Sequence, residues 1–238
     1  FKQKTAYEIP KRDWSSDVCS SDLVIDVPIG SGRPCPWLRN AIDSTINCGH
    51  KDFELLVGCD GDIQAIRELV ESFKDDRVKY IAFPATRSWG NYQRHELMKN
   101  HATGDYFSFM DHDDEYIRGS LKDVADEVKV FPERAFFFRV NLACGITVWT
   151  EESRTGRNKP SINVAGQGMI VPRGNGWPLW PNGKNRTADK EYTSILLNHA
   201  DKIGKPIIFS KHVISNIRPL SPPELTNLGF ASSPMAVA

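Results

Sequence analysis

The sequence has no surplus of charge of either sign: 30 basic and 30 acidic side chains give a formal net charge of +0 over 238 residues. Bulk nucleic-acid binding, which calls for a basic face, is therefore not expected. No apolar run approaches the ~18–20 residues that a membrane-spanning helix needs. Cysteine is scarce. The 5 residues (Cys19, Cys35, Cys48, Cys59 and Cys144) form no C-x-x-C pair and no zinc-like spacing. Reduced thiols in a cytoplasmic protein, peripheral membrane attachment included, are the expectation. Internal repeats and low-complexity tracts are absent. So is a P-loop, because Gly30-Ser31-Gly32-Arg33-Pro34 is not followed by Gly-Lys-Ser/Thr. That segment reads as the turn after a strand.

The first stretch does not read as protein. Phe1 to Ile9 and Asp13 to Leu23 match the translation of a sequencing adapter in one frame, with Pro10 and Lys11 filling its index. Residues 1–23 are thus expected to be non-native, and the native N-terminus to be missing. They hold four basic and four acidic residues, so the remainder is also neutral. About 215 residues are left, enough for one domain with a full core. Residues 24–220 read as that domain, with a first half at 24–116 and a second at 117–220. Residues 221–238, rich in Pro, Ser and Ala, read as a tail.

Strand and helix signals alternate along the first half. Val24–Ile29, Phe53–Val57, Val78–Phe83 and Tyr106–Met110 are apolar runs of strand length. Between them, Pro36–Ile46, Ile63–Phe73 and residues 92–102 carry helical spacing, and Ser120 is expected to cap a helix through Val130. This order predicts a mostly parallel, Rossmann-like sheet flanked by helices, with ligands at the C-terminal ends of the strands. Three of those ends carry Gly30, Asp60 and Asp111. The second half has strand-like segments at Ala135–Val140, Gly145–Thr150, Met169–Pro172 and Pro206–Ile214. A helical stretch covers Asp189–His199. It reads as an α+β elaboration over one mouth of the sheet.

The most unusual segment follows the fourth run. Asp111-His112-Asp113-Asp114-Glu115 places four acidic residues among five directly after a buried strand. Two unit charges about 5 Å apart repel by roughly 3 kcal/mol at an effective dielectric near 20. Either full solvation or a divalent cation relieves that repulsion, and Mg²⁺ or Mn²⁺ prefers carboxylates together with substrate phosphates.

In order and spacing these segments resemble a family 2, GT-A type nucleotide-sugar glycosyltransferase. Asp52-Phe53-Glu54-Leu55-Leu56-Val57-Gly58-Cys59-Asp60-Gly61-Asp62 stands where that family reads roughly dfEiivvDDgS. Gly90 and Arg94 follow. Then Ala102-Thr103-Gly104-Asp105-Tyr106-Phe107-Ser108-Phe109-Met110-Asp111-His112-Asp113-Asp114 matches A-x-G-(D/E)-Y-I-x-F-(L/M)-D-x-D-D. The resemblance covers Val24–Tyr116 and continues more weakly to Pro219. It implies a GT-A fold and a hexosyltransferase-like activity with a nucleotide-diphosphate sugar as donor, a UDP-sugar foremost. The implied acceptor is a glycan, lipid-linked or protein hydroxyl.

The resemblance also assigns roles. Asp60 would hydrogen-bond the nucleotide base, with Ile29 and Gly30 lining the nucleotide. Arg94 would lie near the nucleotide-sugar and Asp111 at the ribose or sugar. Asp113 and Asp114 would meet Mn²⁺ or Mg²⁺ and the diphosphate, and a late His in some GT-A enzymes adds His212 as a further metal ligand. Asp189 would be the catalytic base of an inverting displacement, with Glu191 as substitute and helix capping as its bland alternative. Two positions depart from the family: Cys59 for an Asp and Ala188 for a Glu. They keep open a weakly active or inactive carbohydrate- or nucleotide-binding protein of the same fold. A nucleotidyltransferase is the other alternative. Gln167, in Gly166-Gln167-Gly168, either faces the acceptor or marks a glycine-permitted turn. Trp177 and Trp180 read as anchors of a long loop in preference to sugar-stacking faces.

Overall fold

Four apolar runs, three of them ending at glycine or aspartate, become a parallel quartet. The computed structural model describes residues 21–27, 36–142, 147–148, 166–184 and 187–217. In it β1 (Ser21–Val27), β2 (Phe53–Asp60), β3 (Val78–Phe83) and β4 (Tyr106–Asp111) pair in parallel in the order β3-β2-β1-β4. β2 is buried at every position, which is why it reads as a continuous apolar run and not an alternating one. β1 begins at Ser21, inside the stretch set apart as adapter-like. Its first three residues pair with Phe53–Leu55 and Tyr106–Ser108. Ladder bonds use backbone groups, so pairing extends regardless of the side chains.

The connecting helices follow their sequence signals closely. α1 (Pro36–Ile46) starts at proline, whose missing N–H costs nothing in the first turn, and buries Leu38, Ala41, Ile42 and Thr45 as one stripe. α2 (Gln64–Glu71) is shorter than its apolar spacing, and the Ile63 N–H before it donates to the Tyr80 hydroxyl. α3 (Asn91–Glu96) runs into a π-helical turn, Leu97–His101, in which the Ala102 N–H reaches the Leu97 carbonyl. α3 comes close to the sheet at Gly58. A Cβ there would lie 2.7 Å from the Leu97 side chain and 3.4 Å from Gln93 Cβ.

Among the described residues, the second half completes a nine-stranded mixed sheet. β5 (Glu115–Tyr116), β6 (Phe136–Leu142), β7 (Thr147–Val148), β8 (Met169–Pro172) and β9 (Ile208–Ile217) extend the path from β4 through β8, β6 and β9 to β5, with β7 beside β6. β8 is antiparallel to both β4 and β6, while β6 and β9 are parallel. α4 (Ser120–Val130) and α5 (Ala188–Ile203) cover the sheet. Ser120 does not cap α4. The cap is Gly119 at φ +83, and the Ser120 hydroxyl is buried without a hydrogen-bond partner. The reason is the turn before the helix: residue 119 takes a left-handed φ that favours glycine, and the Ser120 N–H already donates to the Ile117 carbonyl at 3.0 Å.

Side chains alternate between two cores. Leu55, Val57, Tyr106, Met110, Phe136 and Phe138 face α1, α2 and α4. Leu56, Phe107, Phe109 and Phe137 face the π turn and α5 from the other side. Along β6 the alternation breaks at Arg139, where the register with β9 shifts, and Val140 joins the second core. No helix among the described residues is long and apolar enough to cross a membrane.

Candidate active site

The acidic run is a tight turn between two strands. β4 ends at Asp111, β5 begins at Glu115, and the Asp114 N–H donates to the Asp111 carbonyl at 3.2 Å. Both ends are fixed. Tyr116 shares a 2.6 Å hydrogen bond with Ser108, its N–H donates to the Ser44 hydroxyl, and β5 is held by β9. Glu115 turns away and accepts from the Asn216 amide. The other three carboxylates, Asp111, Asp113 and Asp114, each offer an oxygen within 4.8 Å of the others. Three hard oxygen donors at that spacing fit a divalent cation such as Mn²⁺ or Mg²⁺.

Two side chains from distant segments hold the turn. The Arg94 guanidinium on α3 donates to one Asp111 oxygen. The Gln167 amide, only 2% exposed, donates at 2.7 Å to the other Asp111 oxygen and at 2.7 Å to Asp114. Arg94 also lies 3.9 Å from Asp189 in the first turn of α5, and its guanidinium sits 4.7 Å above the Trp180 ring. Asp111 and Asp189 therefore flank one buried cation.

Asp189 is the second residue of α5, after Thr187 at the cap position, so it does not cap the helix itself. Its side chain is 19% exposed. Burial pushes its carboxyl above the ordinary aspartate range. Arg94 and a hydrogen bond from the Gly166 backbone N–H oppose that shift, while the nearby Asp111 adds to it. Gly166 packs closely here: a Cβ there would lie in van der Waals contact, 3.4 Å from Trp180 and 3.5 Å from an Asp189 oxygen. One short turn, Gly166–Gly168, thus touches both acidic groups.

Asp60 ends β2 at the mouth of the sheet, but its carboxylate is 2% exposed and turned into the protein. It accepts from the Thr86 and Arg87 N–H groups at 2.6 and 2.9 Å, the Thr86 hydroxyl at 3.1 Å and the Gln93 amide at 2.8 Å. Its immediate work is to fix the loop between β3 and α3. His212 is not brought to the acidic turn. It lies on β9, with its ring nitrogens 3.4 Å from Asp123 and 3.5 Å from Glu127 of α4. Ile29 and Gly30 lie outside the described residues.

Trp177 and Trp180 are both buried, as loop anchors should be. The Trp180 indole donates to Asn91 at 3.0 Å, and the Asn91 amide donates to the Gly183 carbonyl, tying α3 to the loop before α5. The two departures from the family pattern also face inward. Cys59 lies in one core, where burial raises its thiol, and Ala188 lies in the other. Neither change removes a polar group from the mouth. The partners of Gln167 lie 53 and 56 positions away in the chain, beyond the reach of any local sequence signal. The flanking glycines are the local signal, and the first of them, Gly166, lies against Asp189.

Comparison with known proteins agrees with this geometry. A family model described as Glycosyl transferase family 2 matches residues 33–176. An uncharacterized glycosyltransferase of Rickettsia bellii (strain RML369-C) is 29% identical over 117 residues, 49% of this chain and 16% of that protein. Another, from Rickettsia conorii (strain ATCC VR-613 / Malish 7), is 30% identical over 119 residues, 50% of this chain and 19% of that protein. The match thus spans less than a fifth of either relative. Among solved structures, residues 1–349 of S. aureus TarS superpose with a TM-score of 0.65 at 14% identity, covering 88% of this chain and 63% of that one. The same region has been crystallised with UDP (TM-score 0.64, 15% identity, 88% and 63% covered) and with UDP-GlcNAc (0.65, 14%, 87% and 61%). At these identities the likeness establishes the α/β, GT-A fold.

Proposed function

Because the chain belongs to glycosyl transferase family 2, we propose that it moves a sugar from a nucleoside-diphosphate donor to an acceptor hydroxyl by a metal-dependent, inverting displacement. One observation carries the reading. Three carboxylates within 4.8 Å at the end of β4 are joined through Arg94 to a separate buried carboxylate, Asp189, at the start of α5. The fold likeness to a protein crystallised with UDP and UDP-GlcNAc supports a UDP-sugar as the donor.

In this reading Asp111, Asp113 and Asp114 would hold the cation and donor, with Gln167 keeping the turn in shape. Bound there, Mn²⁺ or Mg²⁺ supplies Lewis-acid stabilisation of the departing diphosphate. Asp189 accepts the acceptor hydroxyl's proton as that oxygen attacks the anomeric carbon. The bond from that carbon to the diphosphate oxygen breaks, and its electron pair leaves with the diphosphate. A carboxyl raised by burial is a stronger base than a solvated one, and Arg94 keeps it from being neutralised outright. Asp60 shapes the base end of the donor site through the loop it anchors. His212 stands outside this set.

A donor screen in Mn²⁺, following nucleoside diphosphate release in the presence of candidate acceptors, tests the proposal. Release should depend on the donor, the metal and Asp189. Nucleotide binding with no turnover on any acceptor would favour a binding protein of the same fold, and full transfer by Asp189→Asn would remove the base assignment.

A further inference from the structure

Trp89 is 54% exposed, although tryptophan is among the most strongly buried side chains on average. The other large exposed apolar residues among those described are Val130, Phe131, Leu197 and Ile203. Val130 and Phe131 precede β6, at the N-terminal end of a strand, and Leu197 and Ile203 lie on α5. Trp89 alone among them follows the C-terminal end of a parallel strand, where such sheets bind ligands.

Its backbone is held under strain. Arg87 and Trp89 adopt φ of +51 and +59, left-handed values that bulky L-residues rarely take. The surrounding hydrogen bonds hold that conformation. Asp60 accepts from the Thr86 and Arg87 N–H groups on one side of the loop. On the other, the Ser88 hydroxyl donates to Gln93 at 3.2 Å and accepts the Tyr92 N–H at 3.1 Å. A loop so firmly stapled fixes where that half-exposed ring stands.

The neighbours of the loop indicate what the ring meets. In the chain Trp89 lies between Thr86 and Arg87, which donate to Asp60 at the end of β2, and Arg94 of α3, which reaches Asp111 of the acidic turn. The ends of β2 and β4 are two strand steps apart, on the order of 10 Å, the length scale separating the diphosphate from the base in an extended nucleotide. We propose that Trp89 is the stacking platform for the nucleobase of the donor, an assignment that rests on the nucleotide-sugar site proposed above. Any base offers a π face, so the contact supplies affinity for the nucleoside end without choosing the base.

Calorimetric titration of the full chain with UDP, UMP and inorganic pyrophosphate, each with Mn²⁺, tests this. Trp89→Ala should weaken UDP and UMP together by roughly ten- to a hundredfold and leave pyrophosphate unchanged. Trp89→Phe, which keeps a smaller π face, should recover most of the affinity. Unchanged UDP affinity in Trp89→Ala would overturn the proposal while leaving the donor site intact. An equal loss for pyrophosphate would also overturn it, because the residue would then be supporting the site as a whole. A wild-type chain that binds none of the three would remove the donor-site reading and Trp89 with it.

Discussion

The two acidic regions at the mouth of the sheet use the same functional group under opposite conditions. The turn after β4 crowds three carboxylates within 4.8 Å. The start of α5 holds Asp189 in a buried position with Arg94 at 3.9 Å. Crowding makes the first region a place for a cation, since mutual repulsion of several kcal/mol falls away when one binds. Burial makes the second a place for a proton, since desolvation disfavours the charged form. Environment assigns the two roles, and Arg94 touches both regions.

Substitutions that separate the two regions give the sharpest tests. The largest effect is expected from Asp189→Asn, which should lower kcat by roughly a hundred- to ten-thousandfold. UDP affinity in Mn²⁺, measured by titration, should stay near wild type, because the acidic turn is untouched. A loss of binding equal to the loss of rate would merge the two regions into one role.

Next is the pH dependence. Asp189 must be unprotonated to act, so wild-type kcat should fall on acidification through a value above the ordinary aspartate range. Arg94→Met removes the largest opposing influence and should move this acid limb to still higher pH. The stability consequence has a definite sign. A carboxyl whose folded pKa is raised contributes stability at low pH, and that contribution is lost as pH rises through the folded value. An acid limb in Arg94→Met that moved downward would contradict the electrostatic account.

A smaller effect is expected at Gln167. Gln167→Leu leaves Asp111 and Asp114 each without one donor and should cost about 1–3 kcal/mol of stability, read by denaturant unfolding. The smallest belongs to His212, which lies on the far side of the comparison against Asp123 and Glu127. His212→Ala should leave Mn²⁺-dependent UDP binding unchanged and shift stability by no more than about 1 kcal/mol, as for other half-exposed polar contacts. A Mn²⁺ affinity that dropped with His212 would restore it as a ligand.

The same contrast governs what the sequence makes legible. The donor-side half is written locally. Buried parallel strands need apolar runs, the mouth needs glycine and aspartate at their ends, and Asp111–Asp114 stands out by its own charge. The other half is assembled at long range. The bulge at Arg139, the pairing of β5 with β9 and the reach of Gln167 to β4 depend on residues far apart in sequence. Ser120 shows the same limit. A good capping residue was available, yet the left-handed turn at Gly119 sets where α4 starts. Asp60 was legible as a residue at the mouth, but the direction of its carboxylate was set by the Thr86–Ser88 loop.

The central claim is that Asp111, Asp113 and Asp114 bind a nucleoside diphosphate through a divalent cation. Titration of UDP into the wild-type chain and Asp113→Asn, each with Mn²⁺ and with chelator, tests it most directly. The account predicts that Mn²⁺ tightens wild-type binding at least about tenfold, or 1.4 kcal/mol, and that Asp113→Asn loses this gain. UDP affinity indifferent to both the metal and Asp113 would contradict it.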